Sequence, residues 1–163
     1  IQQQLALVEK VINDSQSEMR ALLLHLRPIS LENKTLVQGI ESLLKELTTK
    51  VQLSLHWELD EVTLPSTFED HLFRIVQELV SNTLRHAKAK QLEVFLKQKD
   101  DYIILKLVDD GIGFDTSVSK AGSYGLKNIE ERVSGMGGQC KIISIANQGT
   151  IIEIKIPQKQ EKE

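Results

Sequence analysis

The chain has 163 residues, is 40% hydrophobic and 26% charged, and carries a formal net charge of -3 at pH 7. This length and composition suit one domain with its own hydrophobic core, and the net charge argues against a nucleic-acid surface that binds through bulk positive charge. The single cysteine, Cys140, excludes an internal disulfide framework and a CxxC-type metal site, and it fits a reducing cytosol.

No apolar run approaches the ~20 residues that a membrane-spanning helix requires, and no signal peptide is visible. The chain begins at Ile1 inside a helical pattern, without an initiator Met. We therefore expect it to be a soluble fragment of a longer protein.

The first segment is predicted to be a helix that packs against other helices. Its seam residues are spaced alternately three and four positions apart, with one polar break: Leu5, Val8, Ile12, Ser15, Met19, Leu22 and Leu26. This heptad spacing is typical of a coiled coil or a helical bundle, and Pro28 would end the helix. The pattern favours an oligomerising helix over one that packs only on its own domain.

A second helix and a strand are predicted next. Residues 30–50 carry apolar side chains at helical spacing. Residues 51–60 alternate between apolar and polar side chains without a fault, as in a strand with one buried face.

A central helix, opened by Leu64-Pro65-Ser66, carries two stripes of side chains. The apolar stripe is expected to face the core and consists of Leu72, Ile75, Val76, Leu79 and Thr83. The polar stripe lies about a quarter turn away and consists of Glu78, Asn82, Arg85 and His86. The most exposed face is predicted to carry Asp70, Arg74, Gln77 and Ser81. The polar stripe suits the lining of a pocket, although from the helix alone a half-buried polar edge is the simpler interpretation.

The remainder of the chain predicts a mixed sheet. Residues 92–96 and 102–108 have the pattern of a strand hairpin, residues 125–136 that of a helix, and residues 141–146 and 150–156 that of a final strand pair. Because hairpins alternate with helices, we predict an α+β fold in which helices cover one face of a mixed sheet.

Three glycine-containing segments follow the central helix. Asp109-Asp110-Gly111-Ile112-Gly113 ends a strand, Gly122-Ser123-Tyr124-Gly125-Leu126 opens a helix, and Gly149-Thr150 lies between two strands. Glycines let a backbone approach a flat or anionic group, and a helix amino terminus attracts anions. Taken singly, each segment is explained more simply by an ordinary turn or helix start.

Taken in order, the Glu-x-x-x-Asn helix, the DxGxG segment, the Gly-x-x-Gly-Leu helix start and the Gly-Thr pair resemble the nucleotide-binding fold of the GHKL superfamily. This Bergerat fold is a two-layer α/β sandwich, and the resemblance covers about residues 50–157. The superfamily comprises gyrase-type and heat-shock ATPases, mismatch-repair clamps, and histidine and related kinases. The segments Glu18–Pro28, Gln77–Ala87 and Ser123–Ile129 resemble sensor histidine kinases of the NarX/DesK/LiaS type, in particular the LiaS/VraS envelope-stress group.

The resemblance implies a site for ATP and Mg²⁺. By it, Asp109 accepts a hydrogen bond from the adenine amino group, and Asn82 is the Mg²⁺ ligand. Arg85 is expected at the phosphates and His86 near the ribose and phosphates. The other ATP-binding positions that it implies are Gly111, Gly113, Gly122, Gly125, Leu126 and Thr150. Glu78 is assigned a catalytic role, either as a base or as the residue that positions a Mg²⁺-bound water or the incoming imidazole.

The resemblance also implies a domain organisation and partners. Residues 1–28 would be the second helix of a dimerisation bundle, residues 29–157 the catalytic ATP-binding domain, and residues 158–163 a charged tail. This chain would be a cytoplasmic part of a bacterial membrane sensor. That sensor would form a homodimer and pass a phosphoryl group from its histidine to an aspartate of a response regulator.

A kinase of this type needs a phosphoacceptor histidine followed by an acidic residue. The histidines of this chain are His25, His56, His71 and His86, and none of them is followed by an acidic residue. We therefore expect the acceptor to lie before Ile1, and this chain to bind ATP without phosphorylating itself. The alternatives are a GHKL serine kinase of the anti-sigma type, which the long first helix disfavours, and an ATP-gated module whose helix dimerises.

Overall fold

The computed structural model describes residues 1–26, 31, 33–116 and 124–158. Its helices are α1 (Gln2–Leu26), α2 (Leu36–Lys50), α3 (Ser66–Asn82) and α4 (Tyr124–Gly135), and a π-helical turn (Thr83–Ala87) continues α3. Its strands are β1 (Ser54–Leu59), β2 (Gln91–Lys99), β3 (Tyr102–Asp109), β4 (Gln139–Ile145) and β5 (Gly149–Pro157).

The five strands form one mixed sheet in the order β1-β2-β3-β5-β4. Strands β1 and β2 run parallel, and every other neighbouring pair is antiparallel. One face of the sheet is buried by residues that alternate along the strands, namely Leu92, Val94, Leu96, Ile103, Leu105, Leu107, Ile152, Ile154 and Ile156. These pack in one core with the apolar faces of α2, α3 and α4. The predicted α+β sandwich with a mixed sheet is confirmed.

Helix α2 is shorter than the sequence pattern predicted. It begins at Leu36 rather than at residue 30, because Thr35 caps it. The Thr35 hydroxyl accepts a hydrogen bond from the Gln38 amide, and the Gln38 side chain accepts one from the Thr35 amide. This reciprocal pair satisfies amides that the first helical turn leaves without partners. Residues 27–30, which include Pro28, lie outside the described part of the chain.

Helix α3 begins at Ser66, as Pro65 predicted, and its apolar stripe is buried. The prediction for its outer face was half wrong. Asp70 and Arg74 are exposed, but Gln77 and Ser81 are only 5% and 0% exposed. Helix α3 contacts α1 and α2 as well as the rest of the core. It therefore has no single face that is exposed from its first turn to its last.

Helix α1 is present as predicted, and its seam side chains lie in solvent. Leu5, Val8, Ile12, Met19 and Leu22 are 49–62% exposed. The helix also contacts α3 and the π-helical turn. Among the helices that are described, none is both long enough and apolar enough to cross a membrane.

Candidate functional site

A cavity of about 700 Å³ opens between the end of α3, the ends of the central strands and the start of α4. Its lining residues are Glu78, Leu79, Asn82, Thr83, Arg85, His86, Ala87, Asp109, Ile112, Gly113, Phe114, Gly125, Leu126, Thr150 and Ile152. Every site residue predicted from the sequence is among them except Gly111 and Gly122. Gly122 lies outside the described residues, and Gly111 is close to Ala87, which does line the cavity.

The two neighbouring aspartates of the DxGxG segment have different roles. Asp109 lies in the cavity wall, where its carboxylate accepts a hydrogen bond from the Gly111 amide at 2.8 Å. Burial raises the pKa of Asp109, and the adjacent Asp110 adds to that effect, whereas amide hydrogen bonds from Gly111 and Thr150 oppose it. The Asp110 carboxylate instead accepts from the amides of Lys90 and Gln91, at 2.8 and 2.9 Å. Asp109 therefore contributes its carboxylate to the cavity wall, whereas Asp110 stabilises the start of β2 through these two hydrogen bonds.

Gly111 is not a lining residue, but it packs closely on Ala87, which is one. A Cβ atom at this position would lie 2.6 Å from the Ala87 Cβ and 2.8 Å from the Ala87 carbonyl carbon. The neighbouring Ile112 amide donates to the Ala87 carbonyl at 2.7 Å. The missing side chain of Gly111 lets the DxGxG loop dock on the end of the π-helical turn.

Gly113 lines the cavity and has a backbone conformation that favours glycine. Its φ is +61°, in the left-handed region. A Cβ atom there would meet the backbone of the β4–β5 hairpin, at 2.9 Å from the Ile145 carbonyl carbon and 3.0 Å from the Gly149 carbonyl oxygen. Gly113 thereby allows the loop after β3 to lie against that hairpin.

The π-helical turn carries the basic residues of the predicted polar stripe. Arg85 and His86 lie in this turn and line the cavity. The Arg85 guanidinium donates to the buried Ser81 hydroxyl at 2.9 Å, which fixes one end of that side chain. The turn ends at Lys88, whose φ of 49° is left-handed. Helical periodicity did not predict this turn, since it contains an i→i+5 register.

Glu78 and Asn82 lie together against the first turn of α4. A Cβ atom at Gly125 would be 3.3 Å from the Glu78 carboxylate carbon and 3.6 Å from the Asn82 amide nitrogen. The missing side chain at Gly125 thus brings a carboxylate and an amide beside a helix amino terminus, whose free amides and dipole favour anions. A carboxylate and an amide, whose oxygens are the donors that a hard cation prefers, therefore lie beside a helix start that favours anions.

Sequence reasoning missed several residues of the site. Ile112 and Phe114 line the cavity, and in the sequence they are adjacent to the glycines of the DxGxG segment. Ser144 lies behind Thr150 and contacts its hydroxyl at 2.9 Å. The alternation along β4 could have indicated Ser144. Cys140, Ile142 and Ser144 take the inward positions of this strand, and Ser144 is the polar one.

Comparison with known proteins gives the family of this chain. Residues 67–160, more than half of the chain, match the model of the histidine kinase-, DNA gyrase B- and HSP90-like ATPases. The chain is 45% identical over 161 residues to sensor protein VraS of Staphylococcus aureus and equally to that of Staphylococcus saprophyticus. Each match covers 99% of this chain and 46% of the relative, so the chain spans about half the length of these curated relatives.

Solved structures agree on the fold. The histidine kinase domain of the Erythrobacter litoralis EL346 blue-light activated histidine kinase aligns with a TM-score of 0.66 at 18% identity, over 89% of this chain and 75% of that one. The Acinetobacter baumannii histidine kinase AdeS aligns with a TM-score of 0.63 at 15% identity, over 97% and 82% of the two chains. The family match and the cavity that its motifs build together lead to one conclusion: this chain belongs to the histidine kinase-, DNA gyrase B- and HSP90-like ATPase family.

Proposed function

We propose that this chain is the catalytic, ATP-binding part of a two-component sensor histidine kinase. In this proposal it presents the γ-phosphoryl group of ATP to a histidine in a segment outside this chain. The phosphoryl group then passes to an aspartate of a response regulator. The family match supports ATP as the ligand, and the likeness to VraS sensor proteins supports the kinase assignment.

The observation that carries the proposal is the convergence of separated motifs on one cavity. The polar stripe of α3, the DxGxG loop, the start of α4 and the Gly-Thr pair all contribute to its lining. Its volume of about 700 Å³ is within the range of ligand pockets, which is ~300–1,000 Å³. The lining of the cavity includes an acidic acceptor, Asp109, and basic groups, Arg85 and His86, which suits a ligand that has both a base and phosphates.

The residues that line the cavity have separate proposed roles in binding the base and the phosphates. Asp109 accepts a hydrogen bond from the exocyclic amine of adenine, while Gly113 allows the loop beside it to lie against the β4–β5 hairpin. Arg85 binds phosphate oxygens, for which a guanidinium is well shaped. The amides at the start of α4, at Gly125 and Leu126, bind the phosphates as other helix amino termini do.

A magnesium site at Asn82 fits the donor groups that are present. Among the described residues no three of His, Cys, Asp and Glu cluster as metal ligands. Mg²⁺ is commonly held by one or two protein oxygens together with phosphates and waters, so the Asn82 amide oxygen with Glu78 nearby is a sufficient protein contribution. When bound there, Mg²⁺ would neutralise phosphate charge during transfer. Glu78 would orient a metal-bound water or the incoming imidazole, because a base that activated water would waste ATP.

The labelling behaviour of the chain tests this proposal. With Mg²⁺ and γ-labelled ATP, the chain is expected to bind ATP but to acquire no acid-labile, base-stable phosphohistidine. None of its histidines is followed by an acidic residue that would polarise the ring, and His86 lies in the lining of the cavity. A longer chain that includes the acceptor histidine is expected to become labelled by in-line transfer.

Three results would contradict the proposal, each in a different way. Absence of ATP binding by calorimetry would remove the ATP-site assignment. Acid-labile label on His25, His56, His71 or His86 would instead show that an acceptor lies within this chain. Label that is acid-stable and maps to a serine would favour the serine-kinase alternative.

We also propose that residues 1–28 belong to a dimerisation bundle of the whole protein, with residues 29–157 as the catalytic domain. The exposed apolar seam of α1 supports this. The whole protein would be a homodimeric bacterial membrane sensor, with the present chain on its cytoplasmic side.

Substituting one seam residue tests the dimerisation proposal. In sedimentation, the wild-type mass is expected to rise towards a dimer with concentration, and Leu22→Asp should lower that self-association about 10-fold or more, because it places a charge in an apolar seam. Leu7→Asp is the matched control, since Leu7 is similarly exposed, at 62% against 55% for Leu22, but lies off the seam. Equal masses for wild type and Leu22→Asp would remove the argument for a dimerising seam.

A further inference from the structure

Ser81 is a buried polar side chain that does not line the cavity but is hydrogen-bonded to a residue that does. It lies in the last turn of α3 and is 0% exposed, although the sequence pattern predicted it on the outer face of that helix. Its hydroxyl oxygen accepts a hydrogen bond from Nη2 of Arg85 at 2.9 Å, and Arg85 is half-buried and lines the cavity. Helix α3 itself does not need this hydroxyl, because alanine is the better helix former. The contact with Arg85 is therefore what the serine contributes and alanine could not.

The direction of this hydrogen bond is fixed by the chemistry of its two groups. A guanidinium has only N–H donors and stays protonated, so Arg85 has to donate and the Ser81 oxygen has to accept. Rotation of the serine hydroxyl proton cannot reverse this direction. The acceptor is also held in place, because the Ser81 side chain is short and fully buried. The guanidinium is thus tied to a fixed point of the fold.

The hydrogen bond crosses the change of helical register between α3 and the π-helical turn. Ser81 belongs to α3, which ends at Asn82, whereas Arg85 belongs to the turn. Residues four positions apart face each other in a regular α-helix, and this pair stays in contact although the register changes between its members. A π-helical register changes the angle between successive side chains. The hydrogen bond to Ser81 therefore determines, among the rotamers of a long side chain, where the guanidinium lies.

An arginine that binds phosphate gives up side-chain freedom. A long side chain loses conformational entropy when it is immobilised in a binding site, and this loss weakens binding. In this fold part of the loss already occurs on folding, because Ser81 fixes one terminal nitrogen of Arg85. Since the guanidinium is planar and rigid, fixing one of its nitrogens also limits the directions of its other donors.

We propose that Ser81 is a positioning residue for nucleotide binding: it holds the Arg85 guanidinium in the orientation from which that group binds phosphate oxygens. This inference rests on the proposed ATP site and adds to it the residue that prepares the arginine of that site. Ser81 should therefore affect the binding of the phosphates but not that of the base and ribose, because Arg85 is the lining residue that its hydroxyl contacts.

The test compares the affinities of the full chain for ATP and adenosine by calorimetry, with competition against a fluorescent ATP analogue for the weaker ligand. Ser81→Ala is expected to weaken ATP binding about 2- to 10-fold, the usual cost of ordering one long side chain, and to leave adenosine affinity unchanged. Ser42→Ala is the matched control. Ser42 is an exposed serine on α2 that accepts from the Lys34 ammonium at 3.4 Å and does not line the cavity, so both affinities should stay as in the wild type.

A double-mutant comparison separates the positioning of Arg85 from general support of the fold. In an Arg85→Ala background there is no guanidinium to hold, so adding Ser81→Ala should weaken ATP binding no further. Unchanged or tighter ATP binding in Ser81→Ala, equal losses for ATP and adenosine, or independent losses in the double variant would each overturn the inference. If Ser81→Ala fails to melt cooperatively, Ser81→Cys takes its place under the same criteria, because a thiol is only a weak acceptor. Absence of ATP binding by the wild-type chain would instead contradict the proposed function.

Discussion

Replacing Gly113 with alanine is expected to lower the free energy of unfolding by about 3 kcal/mol and to abolish ATP binding. The φ of +61° is itself unfavourable for alanine. The added Cβ would also lie 2.9 Å from the Ile145 carbonyl carbon and 3.0 Å from the Gly149 carbonyl oxygen. These are backbone atoms, so no rotation of a side chain relieves the clash, and the β4–β5 hairpin has to move. Thr150 moves with it, which is why binding is lost together with stability.

Gly135→Ala is the matched control for this substitution. Gly135 is the last residue of α4, and a Cβ atom there would have no neighbour within 4 Å. Because alanine is the better helix former, this variant should be as stable as the wild type or more stable, by up to about 1 kcal/mol. Thermal unfolding followed by circular dichroism and calorimetric titration with ATP measure both variants. A Gly113→Ala protein that melts and binds ATP like the wild type would contradict the packing described for this loop.

The fold was predictable from sequence because its signals are local. Strand alternation gave the hairpin of β2 and β3 and the buried face of β5, and the position of Pro65 gave the start of α3. The burial of Gln77 and Ser81 was not predictable in this way, since α3 also has α1 and α2 as neighbours and the sequence of α3 alone does not show this. A periodic pattern indicates which face of a helix is apolar, but it does not show how many neighbours surround that helix.

The members of the site were predictable from the order of the motifs, but their arrangement was not. The roles of Gly111 and Gly113 differ because Gly111 contacts Ala87 and Gly113 contacts the β4–β5 hairpin. Neither contact can be predicted from the spacing of the two glycines in the sequence. The π-helical turn and Ser144 were missed for the same reason. An i→i+5 turn leaves no periodic signature over five residues, and a hydroxyl that bridges two strands and a loop depends on strand register.

Asp109→Asn is expected to weaken ATP binding about 100-fold while leaving the chain as stable as the wild type or more stable. The asparagine can still accept from the Gly111 amide, but its NH₂ group replaces the carboxylate oxygen that would face the adenine amine, so two donors oppose each other. We expect no loss of stability, because burial raises the pKa of Asp109. The raised pKa means that the ionised carboxylate destabilises the folded state relative to the neutral form. A neutral side chain removes that destabilisation. Calorimetric titration with ATP and thermal unfolding measure the two quantities.

Asp110→Asn is the matched control, since it removes the same charge one residue along the chain. The Asp110 oxygen that accepts from the Lys90 and Gln91 amides is retained as the amide oxygen, so its ATP affinity should stay within about two-fold of wild type. Undiminished ATP affinity in Asp109→Asn, or an equal loss in Asp110→Asn, would contradict the assignment of Asp109 to adenine recognition.

The raised pKa of Asp109 also gives the sign of the pH dependence. As pH falls from neutral through that raised pKa, the carboxyl takes up a proton in the folded state before it would in the unfolded chain, so this group favours folding increasingly as pH falls. Binding changes in the opposite direction, because a protonated carboxyl is a weaker acceptor for the adenine amine. Adenosine affinity, measured to avoid titrating phosphates, should therefore decline towards acid pH in the wild type and in Asp110→Asn, but should be flat and low in Asp109→Asn. The proposed acceptor for the adenine amine is thus a carboxyl whose ionisation the fold disfavours, and a wild-type adenosine affinity independent of pH would contradict that assignment.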